Sequence, residues 1–295
     1  MKKMITSIAI CILLFSKSLS AGVDDVLSFV SEKNVEGYLK PLVTSLGVGL
    51  NSGMYRGAKV RDDFSFGFSF SGMFVFIPED QKTFDPYVPE GYTSVNTATV
   101  YGSDPGYVYG DGGYISYPGG FDLDNLALGF PQVMLGWKGT EVTAKFIPTL
   151  KVGESGEEFY FYTFSAKHEF TRYLENLPVD GAFQVGFGKI KFSDQLEFNN
   201  LALNLIASKN FGITTLYGGL GYQTTEVEAN YAITGDPDNA DPGLRLAKDV
   251  SINIKGDNGF GITAGAALKL VFFVINADYT YNSQSVITTG LNLEF

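Results

Sequence analysis

The sequence predicts an all-β fold: an antiparallel transmembrane β-barrel of about ten strands, with 12 or 14 as alternatives, carrying a short N-terminal helical plug. Three observations point there. The final stretch, Ser285 to Phe295, puts Ile287, Thr289, Leu291, Leu293 and Phe295 on one parity and Val286, Thr288, Gly290, Asn292 and Glu294 on the other, which is strand geometry. The N-terminus pairs Lys2 and Lys3 with an apolar run from Met4 to Phe15, the pattern of a secretory signal. The chain holds 35 Gly, 25 Phe and 17 Tyr at a mean hydropathy of +0.07. That suits strands apolar on one face only.

Residues 1–21 read as the signal peptide, with Ser18, Ser20 and Ala21 offering small residues for cleavage. The apolar run is shorter than the roughly 20 residues a bilayer-spanning helix needs. Cys11 lies inside it and Ile10 precedes it, so a lipid anchor and a mature disulfide are both unexpected. Losing Lys2, Lys3 and Lys17 takes the net charge from −11 to about −14. A surface that acidic does not bind nucleic acid through phosphates.

Residues 22–63 form the expected plug. Val26, Leu27 and Val30, then Tyr38, Leu39, Leu42 and Val43, recur at helical spacing within Val23 to Leu46, with Gly37 and Pro41 expected to interrupt the helix. Asp24 and Asp25 suit its positive end. Gly47 to Asp63 reads as plug backbone or an extra strand.

The barrel is expected over 64–295. Phe64 to Ile77 alternates Phe against Gly and Ser; Val133 to Trp137, Val142 to Leu150, Phe159 to Glu169, Val179 to Phe192 and Leu201 to Leu205 follow, then Phe211 to Ile233, Val250 to Leu268, Phe273 to Asn282 and the closing strand. Counted back from Phe295, both long connections, residues 78–130 and the acidic loop 234–249, fall on the external side, and short turns fall on the periplasmic side, as bacterial barrels require.

A resemblance joins these readings. Tyr38-Leu39-Lys40-Pro41 with Gly49 to Tyr55, Pro131-Gln132-Val133 with Gly139 to Val142, Lys167-His168, Asn258-Gly259-Phe260 through Leu268-Lys269-Leu270, and Ala277 to Thr280 resemble an uncharacterised family of exported Gram-negative barrel proteins. More distantly, the chain is similar to outer-membrane transporters of long-chain fatty acids and aromatic hydrocarbons, which also place a helical hatch before the barrel. Their Asn-Pro-Ala hatch signature is absent from residues 22 to 63. The resemblance implies the outer membrane of a Gram-negative bacterium, with outer-membrane lipid, lipopolysaccharide and the barrel assembly machinery as partners. The aromatic terminus Phe295 resembles the closing residue that this machinery reads.

Candidate functional residues follow from parity. Lys145, Gln184, Asn204, Asn276, Asp278, Thr280, Asn292 and Glu294 are expected to face the lumen, the ordinary place for polar residues in a barrel. A cross-barrel pair of Lys145 with Asp278 or Glu294 would satisfy buried charge. The long loop carries Tyr101, Tyr107, Tyr109, Tyr114 and Tyr117, aromatic side chains with polar tips suited to a lid or to contact with a ligand. Asp236, Asp238 and Asp241 put hard oxygen ligands close together, but a calcium loop would also need a Gly and a distant bidentate Glu, so a solvated turn is the stronger reading. With His168 the sole histidine and no cysteine nucleophile or metal-ligand cluster, neither an enzyme nor a cofactor is expected. Two functions remain: a passive channel or transporter for small, hydrophobic solutes gated by the N-terminal helix, or a sealed structural barrel whose Tyr-rich external loop is the working surface.

Overall fold

The computed structural model describes residues 30–110, 113–152, 157–192 and 195–295, with side chains at 150–158 left out. Ten antiparallel strands close a barrel: β1 (Ser65–Phe76), β6 (Asn125–Trp137), β7 (Thr140–Val152), β8 (Glu157–Glu169), β9 (Asp180–Phe192), β10 (Leu196–Phe211), β11 (Thr214–Ile233), β13 (Phe260–Leu270), β14 (Phe273–Tyr281) and β15 (Val286–Glu294). Closure lies between the first and last barrel strands, where Phe68 opposes Leu293 and Phe74 opposes Ile287. β15 pairs on its other side with β14, so the closing strand has the two neighbours its alternation demands.

The outer wall shows why these residues form a membrane barrel. Phe66, Phe68, Phe70 and Phe74 of β1, Phe183 and Phe187 of β9, and Leu201 and Leu205 of β10 all face outward and are exposed. A continuous apolar belt of this kind is covered by lipid hydrocarbon in a spanning barrel. Near the short turns, Phe295 stacks on Phe66 at 5.1 Å and on Phe272 at 6.1 Å. The turns at that end are tight: Lys138 and Gly139 both take positive φ, 45° and 77°, the geometry of a two-residue hairpin that matches strand twist.

Toward the long-loop end of β11 the polarity reverses. Along β11, Leu216, Leu220 and Tyr222 face out, whereas higher up the same outward parity carries Glu226 and Glu228. There Val227, Ala229 and Tyr231 turn inward and are buried. The upper part of β11 is therefore built like a water-soluble wall, apolar inside and polar outside, whereas β1 stays apolar outside up to Phe76.

That reversal corrects one expected strand. Val250 to Leu268 is two elements: β12 (Lys248–Lys255) pairs with the upper half of β11, and β13 pairs with the lower half. Val250 and Ile254 are buried inside while Phe260 and Ile262 face out, although the sequence puts all four on one parity. Residues 256–259, Gly-Asp-Asn-Gly, reset the register, a turn signature. A second correction lengthens the strand expected at 133–137 back to Asn125. Pro131 lies inside β6, but β6 pairs with β7 only from Gln132 to Trp137. The missing N–H therefore falls where that pairing ends, which is how a strand tolerates proline.

One helix, α1 (Glu32–Asn51), fills the lumen. Residues 30 and 31 are not helical; from Glu32 the helix runs through Gly37 and Pro41 without a break, then past Gly47, where no extra strand forms. Val26, Leu27, Asp24 and Asp25 lie outside the described residues. Packing overrides the local cost of proline and glycine: Ser45 Oγ donates to Pro41 O and Thr44 Oγ1 to Lys40 O at 2.7 and 2.9 Å, and a side chain at Gly47 would collide with Thr225 and Asn258. The helix enters from the long-loop end. Glu32 pairs with Lys248 at 2.9 Å beside the loop after β11, while Arg56, past the helix C-terminus, reaches Glu141 and Glu294 near the short turns. No described helix is long and apolar enough to cross a membrane.

Residues 77–124 fold over the mouth. They contain β2 (Thr83–Phe84) paired with β3 (Thr97–Ala98), and a hairpin of β4 (Gly106–Gly110) and β5 (Gly113–Tyr117).

Candidate functional site

The lumen has two layers, and its sequence explains both. The layer nearer the long loops is apolar. Val35, Leu39, Val43, Leu46 and Leu50 of α1 pack against Met73 and Val75 of β1, Phe130 of β6, Phe161 of β8, Phe198 of β10 and Val227 of β11 in one buried cluster. From Tyr38 onward the barrel wall surrounds most of the helix, so even Ser45, Gly47 and Gly49 are buried.

The layer nearer the short turns is polar, and there parity reasoning holds best. Lys145, Gln184, Asn204, Asn276, Asp278 and Asn292 all point inward and are buried; Thr280 and Glu294 point inward and are half-buried. They grip a chain segment rather than line a passage. Lys145 Nζ donates to Leu50 O at 3.1 Å and also to Ser52 O, placing an ammonium against the negative C-terminal pole of α1. Gln184 Nε2 donates to Met54 O at 3.1 Å, and Gln184 Oε1 accepts from Asn204 Nδ2 at 3.1 Å. Asn292 Nδ2 donates to Asn276 Oδ1 at 2.9 Å, and Tyr217 OH donates to Asp278 at 2.8 Å. The expected ion pair from Lys145 to Asp278 or Glu294 is corrected by this arrangement: helix carbonyls satisfy Lys145, a phenol satisfies Asp278, and Arg56 takes Glu294. The reason is that the segment after α1 occupies the middle of the barrel, between the walls such a pair would have bridged.

Several gripping residues escaped the sequence reading. Gln132 Nε2 donates to Gly53 O at 3.3 Å, Asn200 Nδ2 to Asn51 Oδ1 at 2.6 Å, and Lys167 Nζ to Gly57 O at 3.1 Å. Ala58 N–H donates to Ser208 Oγ at 2.9 Å and Val60 N–H to Glu169 Oε2 at 2.8 Å. Lys167 also pairs with Glu141 at 2.9 Å, and Arg56 bridges Glu141 at 3.2 Å and Glu294. Glu141 shares the inward parity of Thr143 and Lys145, and Lys167 that of Thr163 and Ser165, so strand alternation could have found both. Arg56 lies on irregular chain and carries no such signal.

Two cavities can be placed among the described residues. A cavity of about 220 Å³ sits at the short-turn mouth, around Arg56, Lys59 and Arg61, and one of about 30 Å³ lies inside, beside Ser52, Asn204 and Asp278. The second is little more than a water site.

The loop tyrosines divide. Tyr107, Tyr109 and Tyr114 are exposed on the β4–β5 hairpin, with Tyr114 about 6 Å from each of the others. Tyr101 and Tyr117 fit the lid alternative: both are buried, at 1% and 2% exposure, and belong to the seal. The loop holds the helix directly. Val100 N–H donates to Tyr38 O at 3.1 Å, Tyr38 OH to Gly119 O at 2.9 Å, and Asn34 exchanges two hydrogen bonds with the Tyr87 backbone. Burial pushes the Tyr117 phenol up to about 12. Lys82, hydrogen-bonded to Asp124 and Glu79, has its pKa raised, and Lys248 holds the Glu32 carboxyl below the usual carboxylate range. Asp236 and Asp241 accept backbone N–H groups of Asp238 and Gly243 at 3.1 and 2.8 Å, as turn residues do; Asp236 is exposed as a solvated turn requires, whereas Asp241 is buried at 4% exposure. No group of metal-ligating residues forms among the described residues. His168 lies at the short-turn end, its Nδ1 2.8 Å from Thr140 Oγ1.

A ring-closed sheet with an apolar outer belt and a lumen helix narrows the comparison to outer-membrane barrels. The model of a family of unknown function, DUF6588, matches residues 1–295. The chain belongs to that family. No curated protein matches it. Among solved structures it is similar to Ail, the attachment invasion locus protein of Yersinia pestis, solved with the heparin analogue sucrose octasulfate: 12% identity over 80% of this chain and 100% of that one, TM-score 0.26. It is also similar to OmpT, an outer membrane protein of Vibrio cholerae, at 13% identity over 79% and 97%, TM-score 0.29. A mutant porin of Rh. blastica matches at 8% identity over 79% and 99%, TM-score 0.18. At these scores the strand pairing of the chain itself, and not the superpositions, carries the description of the barrel.

Proposed function

We propose that this family member is a sealed barrel of the Gram-negative outer membrane, and that its external face, not a passage, carries the function. The observation that supports this is the filled lumen. Seven apolar residues, Val30, Val35, Leu39, Val43, Leu46, Val48 and Leu50, are at most 6% exposed. At about 1.5 kcal/mol or more each, taken as an upper-bound scale, their burial is worth on the order of 10 kcal/mol. Releasing the helix would forfeit that burial, and in this reading the conformational entropy it regains offsets only part of the loss. A passive gate working by thermal release of α1 would stay shut.

In this reading the exposed Tyr107, Tyr109 and Tyr114 are the working surface, displayed away from the short turns. Lipid covers the phenylalanine belt, lipopolysaccharide surrounds the upper wall, and the assembly machinery reads the strand that ends in Phe295. No cofactor or catalysis is invoked. Planar-bilayer conductance of the purified full-length protein tests the reading: no open level is expected. A steady conductance, or swelling of protein-loaded liposomes in a small sugar, would overturn it and restore the helix-gated transporter, for which the apolar upper lumen is the supporting feature.

A further inference from the structure

We infer that the short-turn mouth is a binding site for a small organic oxyanion, a carboxylate or phosphate carrying a short apolar body. The cavity there, about 220 Å³, is lined by five cationic side chains and three carboxylates. Its neutralisation is uneven. Glu141 and Glu294 are already shared among Arg56, Lys167 and Lys269, at 2.9 to 3.5 Å where Glu141 meets Arg56 and Lys167 and Glu294 meets Lys269. Lys59 and Arg61, exposed on the rim, make no ion pair among the described residues. The mouth thus keeps a positive surplus on a chain whose net charge is −11.

That surplus is held in place. The backbone that carries Lys59 and Arg61 is fixed by the hydrogen bonds from Ala58 N–H to Ser208 Oγ and from Val60 N–H to Glu169 Oε2, and by Gly139 N–H donating to Arg61 O at 3.3 Å. The two side chains therefore start from a fixed backbone, which lowers the ordering cost of binding. Val60, Met134, Ala267 and Val274 give the same cavity an apolar wall. Pockets for drug-sized ligands run from about 300 Å³, so this one suits a smaller molecule. A cationic rim over an apolar wall selects an anion with a short hydrocarbon body and rejects a cation of the same shape. In the reading above the mouth faces the periplasm, so the ligand arrives either as a soluble metabolite or as the phosphate headgroup of an inner-leaflet lipid.

Titration calorimetry on the full-length protein in zwitterionic micelles tests the site, with butyrate and glycerol 3-phosphate as probes and butylammonium as control. Saturable binding of at least one anion is expected, weakened at least about tenfold in the double variant Lys59→Gln/Arg61→Gln. Both residues are exposed, so the variant should retain heat-modifiable gel mobility; Lys269→Gln, tested alongside, should weaken binding in the same direction. Repeating the titration in phosphatidylcholine nanodiscs with and without phosphatidic acid separates the sources: competition assigns the lipid headgroup, and unchanged affinity assigns the soluble anion. No saturation by about 10 mM, equal binding of butylammonium, or unchanged affinity in the folded double variant would overturn the proposal.

Discussion

Lys145 shows how a single residue decides what the lumen is for. A buried ammonium needs partners, and this one finds carbonyl oxygens at the helix C-terminus, Leu50 O at 3.1 Å among them. Replacing it with Met, similar in length but without a donor, leaves those carbonyls without their ammonium partner in a buried site. The expected loss is about 1–3 kcal/mol, read as a lower midpoint of heat modifiability and faster trypsin cleavage after Arg56. Unchanged resistance would mean the helix is held by packing alone. At the other end of α1, Glu32 titrates below its ordinary range because Lys248 hydrogen-bonds and attracts it. A depressed carboxyl pKa gives a contact that is fully present above the unfolded pKa and lost as pH falls through the folded one. Acidification from neutral pH into and below the carboxylate range should therefore free this end of the helix, seen as faster amide exchange at residues 33–36, and Glu32→Gln should exchange at the faster rate already at neutral pH. The parity rule made Lys145 legible as a lumen residue; its partner was not, because no pattern in the sequence says that a helix end stands opposite it.

At the scale of elements, α1 and β15 respond to different forces. α1 lies so close to the wall that Gly47 has no room for a side chain against Thr225 and Asn258. Gly47→Leu should displace the helix at a cost of about 1–3 kcal/mol or more from overpacking, detected as new protease sensitivity in residues 32–51 while the barrel remains folded. β15 is held by two ladders, by the stacking of Phe295 on Phe66, and by hydrogen bonds between the Phe66 and Phe295 backbones at 2.9 and 3.2 Å. Phe295→Ala should lower the yield of assembled protein in the membrane and leave refolding in detergent nearly intact; equal yields would remove the assembly role. The alternation of β15, β1, β9 and β10 was plain in the sequence because a membrane outside and polar groups inside impose period two. The helix was half legible. Its apolar spacing showed, but Gly37 and Pro41 read as breaks, since local propensity cannot register a surrounding barrel wall.

The whole molecule poses a question of topology. The barrel starts at the short turns with β1, yet the helix that precedes it comes from the opposite mouth, so the chain traverses the lumen before it begins the wall. Lys33, exposed near the start of α1, should therefore lie on the same side as the tyrosine hairpin. A Lys33→Cys variant that also carries Cys11→Ser, and so has a single cysteine, should react with a membrane-impermeant maleimide on intact cells. Labelling only after the outer membrane is breached would reverse the orientation.

By itself the sequence determined that strands would form, which faces of the membrane-crossing strands meet lipid, where the barrel closes and which connections are long. Those are consequences of local alternation, of turn chemistry and of a solvent that is apolar on one side. Only the tertiary structure decided that the upper part of β11 inverts its polarity, that Val250 to Leu268 divides at residues 256–259, that Tyr101 and Tyr117 go inside, and that the polar lumen grips a chain instead of lining a path. Each of these depends on what occupies the space within the ring. The same inward residue lines a pore when that space holds water and forms a core when it holds a helix, and its own sequence neighbours do not distinguish the two.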